Sequence, residues 1–301
     1  MGQGGSFSPR RRLVLALAAI GQPLLTLRTR AASRRDVRVV VGPDADRHAM
    51  TIEALRLRYG PLEVDDNPQR LRRAMRPTAY LALGAAALQA AVDARLDAPV
   101  VSLFASRQAY ERTTSAAPNA WATAIFGEPA PAQQMRLIAS LYGREVVVGV
   151  LISEQSASME PALRDAATAS GLRLEVARVR QDTGLTRALN QFGSAAVVLI
   201  QPDTALYSQT SLRELLESSY RRRLPIIGFS AALVAAGTLA SAFTNVPDTL
   251  PQLDGVLDQI AAGRLPNPGY PIYWRVAVND SVARSLDVVA NDATRALGDR
   301  P

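Results

Sequence analysis

At 301 residues the chain is long enough to bury one large core or two smaller ones. With 48% apolar and 20% charged residues it has a globular composition, and the absence of cysteine excludes disulfides, thiolate metal sites, cysteine nucleophiles and a lipid-modified cysteine. The net charge of +7 invites a nucleic-acid partner, but residues 1–31 hold five of those excess charges and no acid, so the remainder is nearly balanced and no nucleic-acid partner is expected.

In chain order, the first feature is an export-like segment. Arg10, Arg11 and Arg12 precede an apolar run, Leu13 to Leu27, which Gln22 and Pro23 interrupt. Small residues then follow (Thr29, Ala31, Ala32, Ser33). The run falls short of the roughly 20 apolar residues of a transmembrane span, so residues 1–31 read as a signal peptide and the rest of the chain as periplasmic. An uncleaved anchor, and either the general or the twin-arginine route, remain open.

Strands and helices alternate from there. Val37 to Val41 is a β-branched strand, followed by the loop Gly42-Pro43-Asp44-Ala45-Asp46 and a helix from about Arg47 to Tyr59. Leu62 to Val64, Ala79 to Leu83, Pro99 to Phe104 and Trp121 to Phe126 read as further strands. Helices are expected over Pro68 to Met75 and from Gly84 to about Arg95. Gly127-Glu128-Pro129-Ala130-Pro131 is a stiff connector.

The pattern then restarts. A helix is expected over Ala132 to Tyr142, a strand over Val146 to Ile152, and a helix over Glu160 to Ser170 that stops at Gly171. Next come a strand over Leu172 to Val179, a short helix over Leu185 to Asn190 and a strand over Ala195 to Ile200. A helix over Ser211 to Arg222 and a strand over Pro225 to Phe229 follow. Arg221, Arg222 and Arg223 suit the negative end of that helix's dipole. This grammar, restarting at a proline-rich joint, predicts an α/β fold of two Rossmann-like lobes with parallel sheets flanked by helices, linked by a hinge.

Ligands of such sheets bind beyond the carboxyl ends of the strands. The candidate ligand-binding residues are therefore Asp44, Asp46, Gly84, Ala85, Ser106 and Phe126 in the first lobe, and Ser153, Gln201, Asp203, Tyr207 and Ser230 in the second. Helix starts at Gly84 and Ser230 offer backbone N–H groups to an anion, while Asp44, Asp46 and Asp203 can accept from an amine. Helix capping and turn formation are the competing roles for the Asp, Ser and Gly positions. His48, the one histidine, reads as an ordinary surface residue near a helix start. No dinucleotide fingerprint, phosphate-binding loop or nucleophile elbow occurs, so no catalytic set, metal or cofactor is expected.

Several stretches resemble substrate-binding proteins of ATP-binding-cassette (ABC) transporters, a family of the type I periplasmic-binding fold with some members linked to aromatic amino acids. They are PAQQMRLIASLYGREVVVGVLISEQS, LPIIGFSAALVAAGTLASAF and LDQIAAGRLPNPGYPIYWRVAVNDSVARSLDV, with YLALGAAALQAA in the first lobe. The resemblance implies lobes of residues 36–128 plus 244–275 and 129–243 plus 276–301. It also implies a monomer, a small organic solute in the cleft, with an amino-acid-like molecule as one candidate, and a membrane permease as partner. A ligand sensor of the same fold, signalling to a membrane kinase or receptor, is the alternative. Where family members often carry a histidine–proline–leucine–aspartate stretch, this chain reads GPDADRHAM, so the resemblance implies no particular solute.

Overall fold

A computed structural model of the chain describes Met1 and residues 35–43, 45–72, 75–180 and 184–301. The expected export segment and the candidate Asp44 lie outside the described residues. Among the described residues no helix is long and apolar enough to cross a membrane.

The first sheet is wholly parallel. Its strands are β1 (Val37–Val41), β2 (Glu63–Asp65), β3 (Ala79–Leu83), β4 (Val100–Leu103) and β5 (Ala122–Ile125), in the order β2-β1-β3-β4-β5. The helices between them are α1 (Ala49–Tyr59), α2 (Gly84–Asp93) and α3 (Arg107–Ala116). Strand residues alternate between the two faces. Val37, Val39 and Val41 of β1 join Leu81 and Leu83 of β3 in one core with Ile52 and Leu55 of α1. Val40, Tyr80 and Ala82 face the other way, onto Leu88 and Ala91 of α2 and Tyr110 of α3.

The second sheet follows α4 (Pro131–Tyr142). Its strands, with their helices, are β6 (Val147–Ile152), α5 (Glu160–Ala169), β7 (Arg173–Arg178), α6 (Leu185–Leu189), β8 (Val197–Leu199), α7 (Gln209–Arg221), β9 (Ile226–Gly228), α8 (Ala231–Ala236) and β10 (Ala240–Phe243). The chain then makes α9 (Val246–Ala261), β11 (Arg275–Val278), α10 (Asp280–Ser285) and α11 (Asp292–Arg295). The order is β11-β10-β9-β8-β6-β7. One face packs on Ile138 of α4 and Leu163 of α5, the other on Leu189 of α6 and Leu215 of α7. The fold class is as expected, with one departure: β11 runs antiparallel to β10 and closes the edge.

α9 follows a strand of the second sheet but packs on the first, where Leu253 and Leu257 are fully buried against β1 and β3. The chain therefore passes between the lobes three times: at Gly127–Ala130, at Thr244–Asn245 and over residues 262–274. Tyr270, in the third passage, packs against the cores of both lobes.

Two expectations need correction. The helix expected over Pro68 to Met75 is only a 3-10 turn at Pro68–Leu71, capped by the Asn67 side chain. The backbone is already extended at Arg72, whose guanidinium donates instead to the carbonyls of Ala94 and Arg95 beyond the end of α2. Conversely, Arg107–Ala116 is helical without having been expected. Its buried positions are only Ala109, Tyr110 and Thr113, so the segment carries a weak apolar stripe.

Candidate ligand cleft

Each sheet has a point where successive connections leave in opposite directions, and the crevice beyond it is where ligands bind in such folds. Strand order places the first between β1 and β3 and the second between β6 and β8.

At the first point the loop after β1 presses on the start of α2. A Cβ added to Gly42 would lie 3.0 Å from Ala86 Cβ. Gly84 opens α2 with φ of +84°, a conformation that side-chain-bearing residues rarely adopt. No side chain caps α2, and Ala85 is exposed in its first turn. His48 leans over this terminus, its Nε2 3.4 Å from where a Gly84 Cβ would stand. Sequence reasoning assigned His48 to ordinary surface; its proximity to Gly84 is tertiary and no local pattern announces it. Asp46 is exposed in the 3-10 turn Ala45–His48.

At the second point Asp203 organises the wall. Its Oδ2 accepts from the Ser153 hydroxyl at 2.7 Å and the Ser156 hydroxyl at 2.5 Å, and its Oδ1 accepts from Ala205 N at 2.9 Å. Asp203 is 3% exposed. Its carboxylate is thus already engaged by the protein's own donors. Two loops 50 residues apart in sequence are pinned together by it. Tyr207 follows one turn later with its hydroxyl buried and unpartnered, and burial, with the Asp203 charge, raises its pKa. Gln201 is likewise buried, donating to Gln134 Oε1 of α4.

The remaining candidates are structural in their contacts. Ser106 caps α3, accepting from Ala109 N at 3.1 Å, and Ser230 caps α8, accepting from Leu233 N at 3.3 Å. Phe126 is buried between Tyr110 and Tyr270 in edge-to-face packing, with ring centroids 5.8 and 5.1 Å away. Ser153 also lines a cavity of about 820 Å³ at the carboxyl ends of β6 and β7, with Gln155, Arg178, Arg180 and Ala205. Across the crevice, Arg112 of α3 donates to Gln155 Oε1 at 3.4 Å, so the two walls touch.

The hinge beside this crevice carries a carboxyl group that sequence reasoning passed over. Glu128 is 4% exposed and its Oε1 accepts from Arg107 N at 2.7 Å, supplementing the Ser106 cap on α3. Its Oε2 is buried without a partner. Burial pushes the carboxyl up to about 7, opposed by hydrogen bonds from the Arg107 and Glu128 backbone and by the Arg107 charge. The neighbouring backbones are close: a Cβ on Gly127 would lie 2.6 Å from Phe104 O, and Phe104 itself has φ of +64°.

No group of three His, Asp or Glu side chains that could hold a metal ion occurs among the described residues. No protein-family model matches the chain, and no curated protein matches it in sequence. Solved structures do match. The ABC domain in complex with L-Trp from Streptococcus pneumonia is 17% identical, covering 86% of this chain and 96% of that one, with a TM-score of 0.60. The ligand-free, open structure of CD0873, a substrate binding protein with adhesive properties from Clostridium difficile, is 14% identical over 87% and 97%, with a TM-score of 0.62. This chain has the type I periplasmic-binding fold. AraP, an arabinose binding protein from Geobacillus stearothermophilus, shares it at 12% identity and a TM-score of 0.52, over 83% and 98%.

Proposed function

We propose that the chain is the exported solute-binding component of an ABC-type uptake system, capturing one small organic molecule between its lobes. The observation that supports this reading is a switch point in each of the two sheets, one with an uncapped α2 terminus under His48 and the other with the Asp203-pinned loops. The first offers backbone N–H groups at the opening of α2; the second offers a wall whose shape is set before any ligand arrives. The lobes we assign are residues 36–128 plus 244–275 and 129–243 plus 276–301, closing about the three passages as a monomer. Residues 1–31 direct export, and a membrane permease receives the closed form.

A thermal-shift screen of amino acids, sugars and related metabolites tests this reading. At least one compound class is expected to raise the melting temperature with concentration, because a ligand held only by the folded state stabilises it. If no compound shifts the transition, and a solved ligand-free structure has the crevice filled by side chains, the reading fails.

A further inference from the structure

Glu128 sits where the first passage leaves β5, and its surroundings are unusual for an acid. The groups that face it are Arg107 and Glu111 from α3 and Tyr270 from the third passage. Arg107 is divided among them. Its backbone N–H goes to Glu128, its Nε donates to Glu111 Oε1, and its Nη1 donates to Tyr270 OH at 3.4 Å. The Arg107 guanidinium is thus directed to Glu111 and Tyr270, while the Glu128 carboxyl is met by backbone donors, that of Arg107 on Oε1 and its own, and by no side-chain donor. Oε2 has neither donor nor solvent. A buried carboxylate with one empty oxygen is costly, and a neutral carboxyl in the same place costs less because no charge is desolvated.

The cover over this group belongs to both lobes. Tyr270 packs on both cores, and its hydroxyl reaches Met159 Sδ of the second lobe at 3.8 Å. Gly269, next to Tyr270, is hydrogen-bonded to β5, so on the proposal below separation of the lobes withdraws Met159 and the second core from Tyr270 and admits water to the carboxyl. Hydration favours the ionised form, so the protonation of Glu128 and the separation of the lobes are linked.

We propose that Glu128 is a proton-sensitive positioning residue of the hinge: its neutral carboxyl holds the lobes together, and its carboxylate favours their separation. The sign follows from burial. An acid that is harder to ionise in the closed form takes up a proton on closure. Closure is then unhindered at acid pH and is progressively opposed as pH rises towards and through 7. A solute would accordingly be held more tightly in mildly acidic surroundings.

This inference rests on the receptor reading for its use but is tested without any solute. The chain has no cysteine, so Glu53→Cys in α1 and Glu217→Cys in α7 supply two unique labelling sites, one per lobe, for distance measurement by spin or fluorescent probes. In the otherwise native chain the ratio of separated to closed populations is expected to rise about tenfold between pH 5.5 and 8. Glu128→Gln should abolish that response and remain closed, and Glu128→Asp should restore it. A Glu128→Gln chain that keeps the native pH response, or a folded native chain whose distances are flat over the range, would overturn the proposal. Neither result bears on whether a solute binds, and a failed solute screen leaves the distance measurement intact.

Discussion

Asp248 and Arg275 form a two-pronged ion pair, with Arg275 Nη2 donating to Asp248 Oδ1 at 2.8 Å and Nε to Oδ2. Asp248 is in the first turn of α9 and only 2% exposed, and Arg275 opens β11. The pair therefore ties the start of α9, just after the second passage, to the start of β11, just after the third, next to the cross-strand pairing of Phe243 with Arg275. Asp248→Ala is expected to lower the melting temperature by about 5 °C and to broaden the distance distribution between lobe labels, as loss of charge-assisted bonds would. Thermal melts with the label pair check both effects; a lowered melting temperature with an unchanged distribution would show that the pair does not hold the hinge.

Asp203→Ala should be more damaging than its position in a loop suggests. It removes the common acceptor of Ser153 and Ser156, leaving two hydroxyls to find new partners in a buried site. The expected loss is about 2–3 kcal/mol in urea unfolding. Asp203→Asn should lose less, because the hydroxyls can turn to accept from its amide. Equal losses would mean that charge, rather than hydrogen bonding, holds the loops.

Gly127→Ala tests the tightness of the first passage. The added methyl would meet a backbone oxygen, Phe104 O, at 2.6 Å, and Phe104 already occupies a left-handed conformation. Neither can move without disturbing β4 and β5. A loss of about 2 kcal/mol or more is expected, with poor soluble yield. Gly255→Ala, in open space on α9, is the matched control and should be neutral or slightly stabilising.

The stability of the chain should also depend on pH through Glu128. Its folded value, about 7, is above the ordinary 4.5, so the folded state binds a proton that the unfolded chain releases. Stability from this group is therefore full below about 4.5 and lost as pH rises to 7, a loss on the order of 3 kcal/mol. Glu128→Gln should match the native chain near pH 4.5 and exceed it at pH 8. Parallel pH–stability curves for the two proteins would refute this assignment.

The fold was legible because buried parallel strands read as unbroken apolar runs. VRVVV and VVGVLI become β1 and β6 with nearly every residue covered, Arg38 among them. Arg38 stays buried by donating to the carbonyls of Leu71 and Met75, so even the charged position fits the run. The short outer elements were not legible. β10 and β11 are four residues each and their pairing is long-range, and α3 is polar along most of its length. At the candidate site, the strand-end rule points to loops but not to what their side chains bond. Asp203 looked available because Ser153 and Ser156, which occupy it, come 50 and 47 residues earlier. Glu128 looked like part of a stiff connector because nothing local shows that Arg107 and Tyr270 enclose it.

The path of α9 bears on how the protein is made. Synthesis completes the first sheet at Ile125, yet the face that α1 covers lacks the rest of its packing until Leu253 and Leu257 have been added. At ordinary translation speeds that interval is on the order of ten seconds. Throughout it the first lobe lacks part of its core and cannot settle into its final packing. A nascent chain of this design stays pliable until nearly all of it exists, which would suit the export proposed above and would make the lobe dependent on holding factors whenever its completion is delayed.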